Sequence, residues 1–273
     1  MLKCGDWPIG ICSWSLQTDL PGVAKAMEQL QTNYVHLDLR PACTENSQLY
    51  LEQVIENNWK IASTMIGFPQ EDYSTLEAIR LTGGIVPDQS WDNNKKIFLS
   101  AVDATVKLNV PFLSTHIGFI DHTQPDYAGK VYDRVKFMAD VSAENNVTLL
   151  LETGQETAED LKHFLEELKH PLVGVNFDPA NMILYDKGNP IDAVGVLSPW
   201  IKHVHIKDAI RTNTPGTWGI EVPWGQGQVG QQQFLTALSK IGFAGALAIE
   251  REAGNNRFDD IKKAIEKLQM FEK

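Results

Sequence analysis

The chain alternates between short apolar runs and longer amphipathic stretches from one end to the other. The apolar runs are rich in β-branched and aromatic side chains, which is typical of buried strands. The stretches between them are long enough for helices, and several repeat their apolar residues with the helical period. The predicted strands lie at residues 8–14, 34–39, 60–67, 111–118, 147–152, 173–178, 201–206 and 245–250, and the clearest predicted helices at 23–31, 95–108, 131–146, 157–169 and 258–269.

This order of elements predicts an α/β fold with a parallel sheet, because strands that alternate with helices return in the same direction. Eight such units in a chain of 273 residues favour a single (β/α)₈ TIM barrel over an open doubly wound sheet. No Gly-x-Gly-x-x-Gly segment follows the first strand, which counts against a dinucleotide-binding fold. We therefore expect one barrel domain over residues 1–273.

Four of the predicted strands end in side chains that bind metals. Glu152, Asp178, His205 and Glu250 each close an apolar run, where a buried polar group is costly unless something compensates it. A single glutamate at a strand end is more often a rim residue or an ion-pair partner. Four on successive strands, whose ends meet at the mouth of a barrel, favour one shared cation. The oxygen-rich set suits Mn²⁺, Mg²⁺, Co²⁺ or Zn²⁺.

The segments LLLETG, NFDPAN, HVHIKDAIR and LAIERE, all between residues 147 and 252, resemble those of the xylose-isomerase-like TIM barrels, a superfamily of sugar phosphate isomerases and epimerases. The resemblance implies that Glu152, Asp178, His205 and Glu250 are the metal ligands. In its ketose epimerases an arginine six positions after the ligand histidine binds substrate oxygens, and Arg211 matches that spacing.

Arg211 has an alternative role, an ion pair with Glu221 or Asp208 that would order the following loop. Two departures limit the resemblance. Asn181 stands where endonuclease IV and most ketose 3-epimerases carry histidine, and Met65 replaces a further histidine of the nuclease. The segment DPAN, which ends at Asn181, resembles the corresponding segment of other isomerase-like and dehydratase-like members of the superfamily.

Three further residues are candidates for substrate contact. His116 ends the fourth predicted strand, where it either donates a hydrogen bond to a substrate hydroxyl or is a satisfied core histidine. Trp14 either forms an apolar wall for a sugar ring or packs beneath the mouth. Lys207 follows the ligand histidine and is predicted to contact the substrate or the loop. His36 and His203 are predicted to be structural.

The stretch from residue 208 to 228 is too long for an ordinary connection and holds two tryptophans. Long loops of this kind usually carry function or are disordered. The tryptophans favour an ordered cover over the barrel mouth.

The formal net charge of −11 counts against nucleic acid, because phosphate backbones are bound by clustered Lys and Arg. No window of about 18 apolar residues predicts a membrane span, and no signal-peptide pattern is present. The three cysteines lack metal-type spacing and are expected to be reduced thiols in a cytoplasmic protein. A small-molecule sugar or cyclitol is the expected partner, and homo-oligomerisation is left open.

These residues suggest a mechanism. A divalent cation that binds a hydroxy-ketone polarises the carbonyl and acidifies the adjacent C–H bond. Glu152 and Glu250 are then the predicted acid/base pair of an isomerase or epimerase that acts through an enediolate. Open alternatives are a metal-dependent lyase of the inosose dehydratase type, with His116 or Lys207 as the acid, an endonuclease IV-like hydrolase, and a non-catalytic sugar binder.

Overall fold

The structure is a computed structural model that describes residues 2–44 and 47–271. Eight parallel strands follow one another around a barrel in chain order, and the first of them pairs with both the second and the last, which closes the sheet. The predicted (β/α)₈ barrel is confirmed. Its strands are β2 (Trp7–Cys12), β3 (Tyr34–Asp38), β4 (Lys60–Ile66), β5 (Phe112–Thr115), β6 (Thr148–Glu152), β7 (Val173–Phe177), β8 (Ile201–Ile206) and β11 (Leu247–Ile249).

Three short strands lie outside the barrel. The strand β1 (Lys3–Cys4) pairs antiparallel with the start of β2. The strands β9 (Asp208–Ile210) and β10 (Ile220–Val222) form a two-stranded antiparallel ribbon after β8. This ribbon lies in the long stretch that the sequence predicts to be an ordered cover, so that stretch carries secondary structure of its own.

Helices surround the barrel, and the five predicted ones are all present with shifted bounds. The largest shift is in α4, which begins at Asp88 instead of residue 95; its first turns are polar and carry no apolar periodicity. The helices are α1 (Leu20–Leu30), α2 (Ser47–Glu56), α3 (Leu76–Thr82), α4 (Asp88–Lys107), α5 (Pro125–Glu144), α6 (Ala158–Leu168), α7 (Pro179–Leu184), α8 (Pro190–Leu197), α9 (Gln231–Lys240) and α10 (Arg257–Gln269), with two 3₁₀ helices at Ser13–Leu16 and Pro41–Cys43.

The helix α6 shows how local sequence sets these elements. The Thr157 hydroxyl accepts a hydrogen bond from the Asp160 backbone N–H at 3.1 Å and donates one to the Asp160 carboxylate at 2.7 Å, which caps the first turn. The apolar stripe that the sequence predicts for this helix is buried against the barrel. Among the described residues, no helix combines the length and the apolar character that a membrane crossing requires.

Six strands stop earlier than predicted, four of them by one residue, and the two larger differences, in β2 and β5, shape the barrel mouth. The first strand ends at Cys12, and Trp14 lies in the 3₁₀ helix that follows it. The fourth ends at Thr115, so His116 lies one residue beyond the sheet. In both places the apolar run continues past the last strand hydrogen bond, because the residues at the mouth remain packed after the chain leaves the sheet.

Candidate metal centre and active site

The four residues at the strand ends converge at the barrel mouth. The His205 Nδ1 atom lies 3.3 Å from Glu152 Oε1, 3.4 Å from Asp178 Oδ2 and 3.3 Å from Glu250 Oε2. One possible ligand atom from each residue lies within 4.8 Å of those of the other three, and all four residues are buried. Strands β6, β7, β8 and β11 are neighbours in the sheet, so adjacent strand ends bring these groups together.

Local structure holds two of the carboxylates in place. Asp178 caps α7, and its Oδ1 atom accepts hydrogen bonds from the N–H groups of Ala180 and Asn181 at 2.8 and 2.9 Å. Its Oδ2 atom is therefore the one left to face the cluster. Glu152 is held by amides, because Asn181 Nδ2 donates to Oε1 at 3.1 Å and Asn176 Nδ2 lies 3.4 Å from Oε2. Asn181, which replaces a family histidine, supports a ligand through its side-chain amide.

The imidazole of His205 is oriented by a second histidine. His36 Nε2 lies 3.2 Å from the Thr64 carbonyl oxygen, and His36 Nδ1 lies 2.9 Å from His205 Nε2. A carbonyl oxygen only accepts, so His36 donates from Nε2 and accepts at Nδ1 from the His205 Nε2–H. In the neutral form of His205 that a bound cation would require, this arrangement leaves the lone pair on Nδ1, the atom that faces the three carboxylates.

His36 therefore contacts the ligand that the sequence identified, although no sequence pattern assigned His36 a role in the site. Burial, and then the nearby His203 and His205, hold the pKa of His36 well below its usual value. A neutral ring is the form that the hydrogen-bond pattern requires. His203 is buried with its Nδ1 atom 2.8 Å from Asn176 Oδ1, and its structural role stays a prediction.

The cluster fits a divalent cation. Asp178 Oδ2 and His205 Nδ1 are buried and find no hydrogen-bond partner within residues 2–44 and 47–271, a costly state for two polar atoms unless a ligand satisfies them. Burial opposes protonation of His205, but Cys12 and the carboxylates of Glu250 and Glu152 outweigh it and raise its pKa well above the usual value. The cluster thus attracts positive charge, and three carboxylates with one imidazole are suitable ligands for Mg²⁺, Mn²⁺, Co²⁺ or Zn²⁺.

Lys207 places a buried ammonium directly beside the cluster. Its Nζ atom lies 2.9 Å from Glu250 Oε2, 2.7 Å from Glu252 Oε2 and 3.8 Å from Asp178 Oδ2, and the side chain is only 4% exposed. Burial raises the pKa of Glu250, but Lys207 and then His205 outweigh it and hold that pKa well below the usual value. The sequence predicts a substrate or loop contact for Lys207, and the structure places it against the predicted metal ligands themselves.

Trp14 and His116 lie on opposite sides of the cluster. The Trp14 indole N–H donates to Glu250 Oε1 at 2.7 Å, and His116 Nε2 lies 3.6 Å from Glu152 Oε1. Burial raises the pKa of Glu152, but the charges of His116 and His205 outweigh it and the pKa is lowered. The His116 Nδ1 atom is buried and has no hydrogen-bond partner among the described residues.

A cavity of about 530 Å³ opens beside the cluster, within the range of small-molecule sites. Trp14, His116, Lys207 and Glu250 line it, so four of the predicted residues share one space. Part of the remaining wall comes from residues that no sequence pattern had identified, because they lie in connections from distant parts of the chain. They include Arg40, Glu71, Tyr73, Tyr185 and Glu252.

One of the two tryptophans of the predicted cover, Trp218, lies at the mouth, whereas Trp224 is buried against Phe234 of α9. Trp218 lines the cavity and packs edge-on against Tyr185, with ring centroids 4.7 Å apart. Asp208 holds the following segment, because its carboxylate accepts hydrogen bonds from the backbone N–H groups of Gly225, Gly227 and Val229 at 2.8, 3.0 and 3.1 Å. A side chain at residue 227 would clash, since a Cβ there would lie 2.2 Å from Asp208 Oδ1.

Arg211 lies apart from this group. Its guanidinium pairs with Asp186 and donates to the Gly188 carbonyl oxygen at 2.7 Å, and it is not among the cavity-lining residues. The alternative pairing with Glu221 or Asp208 is wrong, because Glu221 pairs with Arg251 and Asp208 binds backbone N–H groups. A substrate-binding role for Arg211 stays a prediction.

Residues 26–272 match the family model described as the xylose isomerase-like TIM barrel. The chain is also 30% identical to a xylose isomerase domain protein from Planctomyces limnophilus, over 97% of both chains and with a TM-score of 0.88. This protein therefore belongs to the xylose isomerase-like TIM barrel family.

Two other similarities are more limited. A segment of 81 residues is 31% identical to the 3-dehydroshikimate dehydratase of Bacillus anthracis, over 28% of each protein. The segments matched in the curated relatives span 28 to 39% of those relatives' lengths. The D-allulose 3-epimerase of Methylomonas sp., solved in complex with D-allulose, is 15% identical over 100% of this chain and 99% of that one, with a TM-score of 0.73. At that identity the likeness concerns the fold.

Proposed function

We propose that this protein is a divalent-metal-dependent isomerase or epimerase that acts on a sugar or a related hydroxy-ketone. Glu152, Asp178, His205 and Glu250 would hold the cation, and Glu152 and Glu250 would serve as the acid/base pair. When bound, the cation would polarise the substrate carbonyl and make the neighbouring C–H bond more acidic. The proton transfers would be carried out by the side chains of the protein itself.

One observation carries the proposal, the placement of two carboxylates on either side of one imidazole. Glu152 Oε1 and Glu250 Oε2 each lie 3.3 Å from His205 Nδ1, and they come from strands β6 and β11, which β7 and β8 separate. A substrate carbon between them would present one face to each carboxylate. One residue can then remove a proton and the other can return a proton to the opposite face, which inverts the carbon.

The two carboxylates are held differently, which gives each a different basicity. Glu250 accepts from the Trp14 indole and the Lys207 ammonium, and its pKa lies well below the usual value, whereas Glu152 is held by the neutral amides of Asn181 and Asn176. A carboxylate that faces an ammonium is a weaker base than one that faces amides. Glu152 is therefore the stronger base of the two, and each carboxylate would remove the proton of the epimer whose C–H bond faces it.

The charges of the cavity favour a neutral substrate. Its lining residues include the acidic groups Asp38, Glu71, Glu221, Glu250 and Glu252, against the cations Arg40 and Lys207. Lys207 already faces three carboxylates, and Arg40 pairs with Asp38 at 2.8 Å. A phosphate or carboxylate on the substrate would meet mainly like charge in this space. An unphosphorylated ketose or cyclitol ketone fits better.

Deuterium exchange tests the two-glutamate mechanism. Glu152→Gln and Glu250→Gln keep the side-chain shape but lose a base, so each should lower conversion by at least ~10²-fold. Incubated in deuterated water with a ketose such as D-allulose and its epimer, each variant should still exchange the α-proton of one epimer. Glu159→Gln is the matched control, because Glu159 is an exposed glutamate in the first turn of α6, outside the cavity lining, and it should keep exchange of both epimers. If both cluster variants exchange and convert like wild type with metal bound, the mechanism is wrong, and His116 becomes the leading base.

A dehydratase is the second candidate, favoured by the 31% identity with the 3-dehydroshikimate dehydratase segment and by an ammonium beside Glu250. After α-proton removal, Lys207 could donate a proton to a departing β-hydroxyl, so that water leaves and a conjugated carbonyl compound forms. Ultraviolet absorbance separates the two reactions, because a conjugated product absorbs and an epimer does not. Growth of absorbance with 3-dehydroshikimate, without epimerisation of ketoses, would favour the dehydratase.

A further inference from the structure

A second group of metal-binding side chains lies on the outside of the barrel. His122 belongs to the loop between β5 and α5, and His163 and Glu167 lie on α6. One possible ligand atom of each residue lies within 4.8 Å of those of the other two. His163 and Glu167 are four positions apart on one helix, so their side chains share a face.

The loop histidine is already oriented by the helix. His122 Nε2 lies 3.1 Å from the Asp160 carbonyl oxygen, and because that oxygen only accepts, the proton is on Nε2. The lone pair of the neutral ring is then on Nδ1. Metal-binding histidines in proteins commonly donate their other ring N–H to a backbone carbonyl in this way.

The other two side chains are available to a ligand. The His163 ring meets the His122 ring edge-on, with centroids 4.6 Å apart, and His163 and Glu167 are both exposed. Within residues 2–44 and 47–271, no Lys, Arg or His nitrogen lies within ion-pair distance of the Glu167 carboxylate. The three residues line a cavity of about 380 Å³ whose floor includes Tyr132 and Phe164.

We propose that His122, His163 and Glu167 form a second metal site, which binds Zn²⁺ and links the β5–α5 loop to α6. Two imidazoles and one carboxylate are ligands that Zn²⁺ accepts, with the fourth position left to water. The set is richer in nitrogen than the barrel cluster, so it should prefer Zn²⁺, Co²⁺ or Ni²⁺ over Mg²⁺. This site does not depend on the proposed function, because it shares no residue with the barrel mouth.

Zinc stoichiometry tests the proposal. Equilibrium dialysis of the wild-type chain against Zn²⁺ should find two ions per chain, one at each site. His163→Ala should lose one ion, with affinity at the outer site weakened by more than the ~10–100-fold that is typical of second-shell changes. Glu167→Gln should weaken the same ion. His170→Ala is the matched control, a histidine near Asp140 at 3.6 Å and outside the cluster, and it should keep both ions.

A local readout accompanies the dialysis. Zn²⁺ should slow amide hydrogen exchange over residues 117–124 in the wild-type chain and in Asp178→Asn, and have no such effect in His163→Ala. If His163→Ala binds as much Zn²⁺ as wild type, or if exchange over this loop ignores Zn²⁺, the outer site is wrong. If His163→Ala loses one ion and Asp178→Asn loses none, the outer site is supported and the barrel site is contradicted.

Discussion

Removal of the buried ammonium of Lys207 should have two opposite effects, a loss of stability without metal and a gain in metal affinity. In the metal-free chain Lys207 is the cation that offsets the carboxylates of Glu250, Glu252 and Asp178. Lys207→Met keeps most of the side-chain length and removes the charge. The variant should be less stable than wild type without metal and should bind a divalent cation more tightly.

The magnitudes follow from the burial of Lys207. Its side chain is 4% exposed, as is that of Glu250, and removing one partner of a buried ion pair costs about 3–5 kcal/mol. The second effect comes from repulsion, because Glu250 and Asp178 are also proposed metal ligands and Lys207 therefore lies close to the cation. Two unit charges about 4 Å apart repel by roughly 4 kcal/mol at an effective dielectric constant of 20. Even a fraction of that repulsion makes the metal affinity of the variant at least ~10-fold higher.

Two measurements check the effect on stability and the effect on metal affinity separately. Urea unfolding in the presence of a chelator gives the free energy of unfolding of the metal-free chain, and a Mn²⁺ titration gives the metal affinity. Lys202→Met is the matched control, since Lys202 lies on β8, the strand that Lys207 follows, but is exposed. It should change neither quantity by more than ~0.5 kcal/mol. If Lys207→Met binds Mn²⁺ more weakly than wild type, the assignment of Glu250 and Asp178 as metal ligands is refuted.

Three further variants test other parts of the structure. Asp208→Asn replaces an oxygen that accepts hydrogen bonds from Gly225 and Gly227 with an N–H donor. The loss of two hydrogen bonds to a carboxylate should lower the free energy of local unfolding of the cover by about 3 kcal/mol or more. Unchanged amide hydrogen exchange at these two glycines would contradict this prediction. Burial raises the pKa of Glu156 to about 8, so between about pH 4.5 and 8 the folded chain keeps a proton that the unfolded chain has lost. The free energy of unfolding of the wild-type chain should therefore fall over this pH range, by up to about 5 kcal/mol. Glu156→Gln should therefore stabilise the chain more at pH 8 than at pH 5, and an equal gain in urea unfolding at both values would rule out the shift. Arg211→Lys should lower turnover with near-normal metal content if Arg211 binds substrate, because lysine lacks the planar donor fork; unchanged kinetics would remove Arg211 from the site.

The sequence by itself determined the fold class and the four residues of the barrel cluster. Both follow from local patterns, because apolar runs that alternate with amphipathic stretches specify strands and helices, and parallel strands of a closed barrel all end at the same mouth. The positions of Glu152, Asp178, His205 and Glu250 at the ends of their strands are therefore enough to place them together. No pairwise distance is needed for that step.

Tertiary structure decided what surrounds those residues. His36 lies 169 positions from His205 in the chain, and the closure of the barrel brings their rings together. The walls Glu71 and Tyr73 come from the loop between β4 and α3, and Tyr185 from the end of α7. The course of these segments depends on packing and not on a period in the sequence. Arg211 shows the converse, since its spacing matches the family pattern while its guanidinium contacts Asp186. Spacing along the chain fixes which strand end a residue follows, whereas the direction of a long side chain in a loop depends on the partners that the folded chain provides.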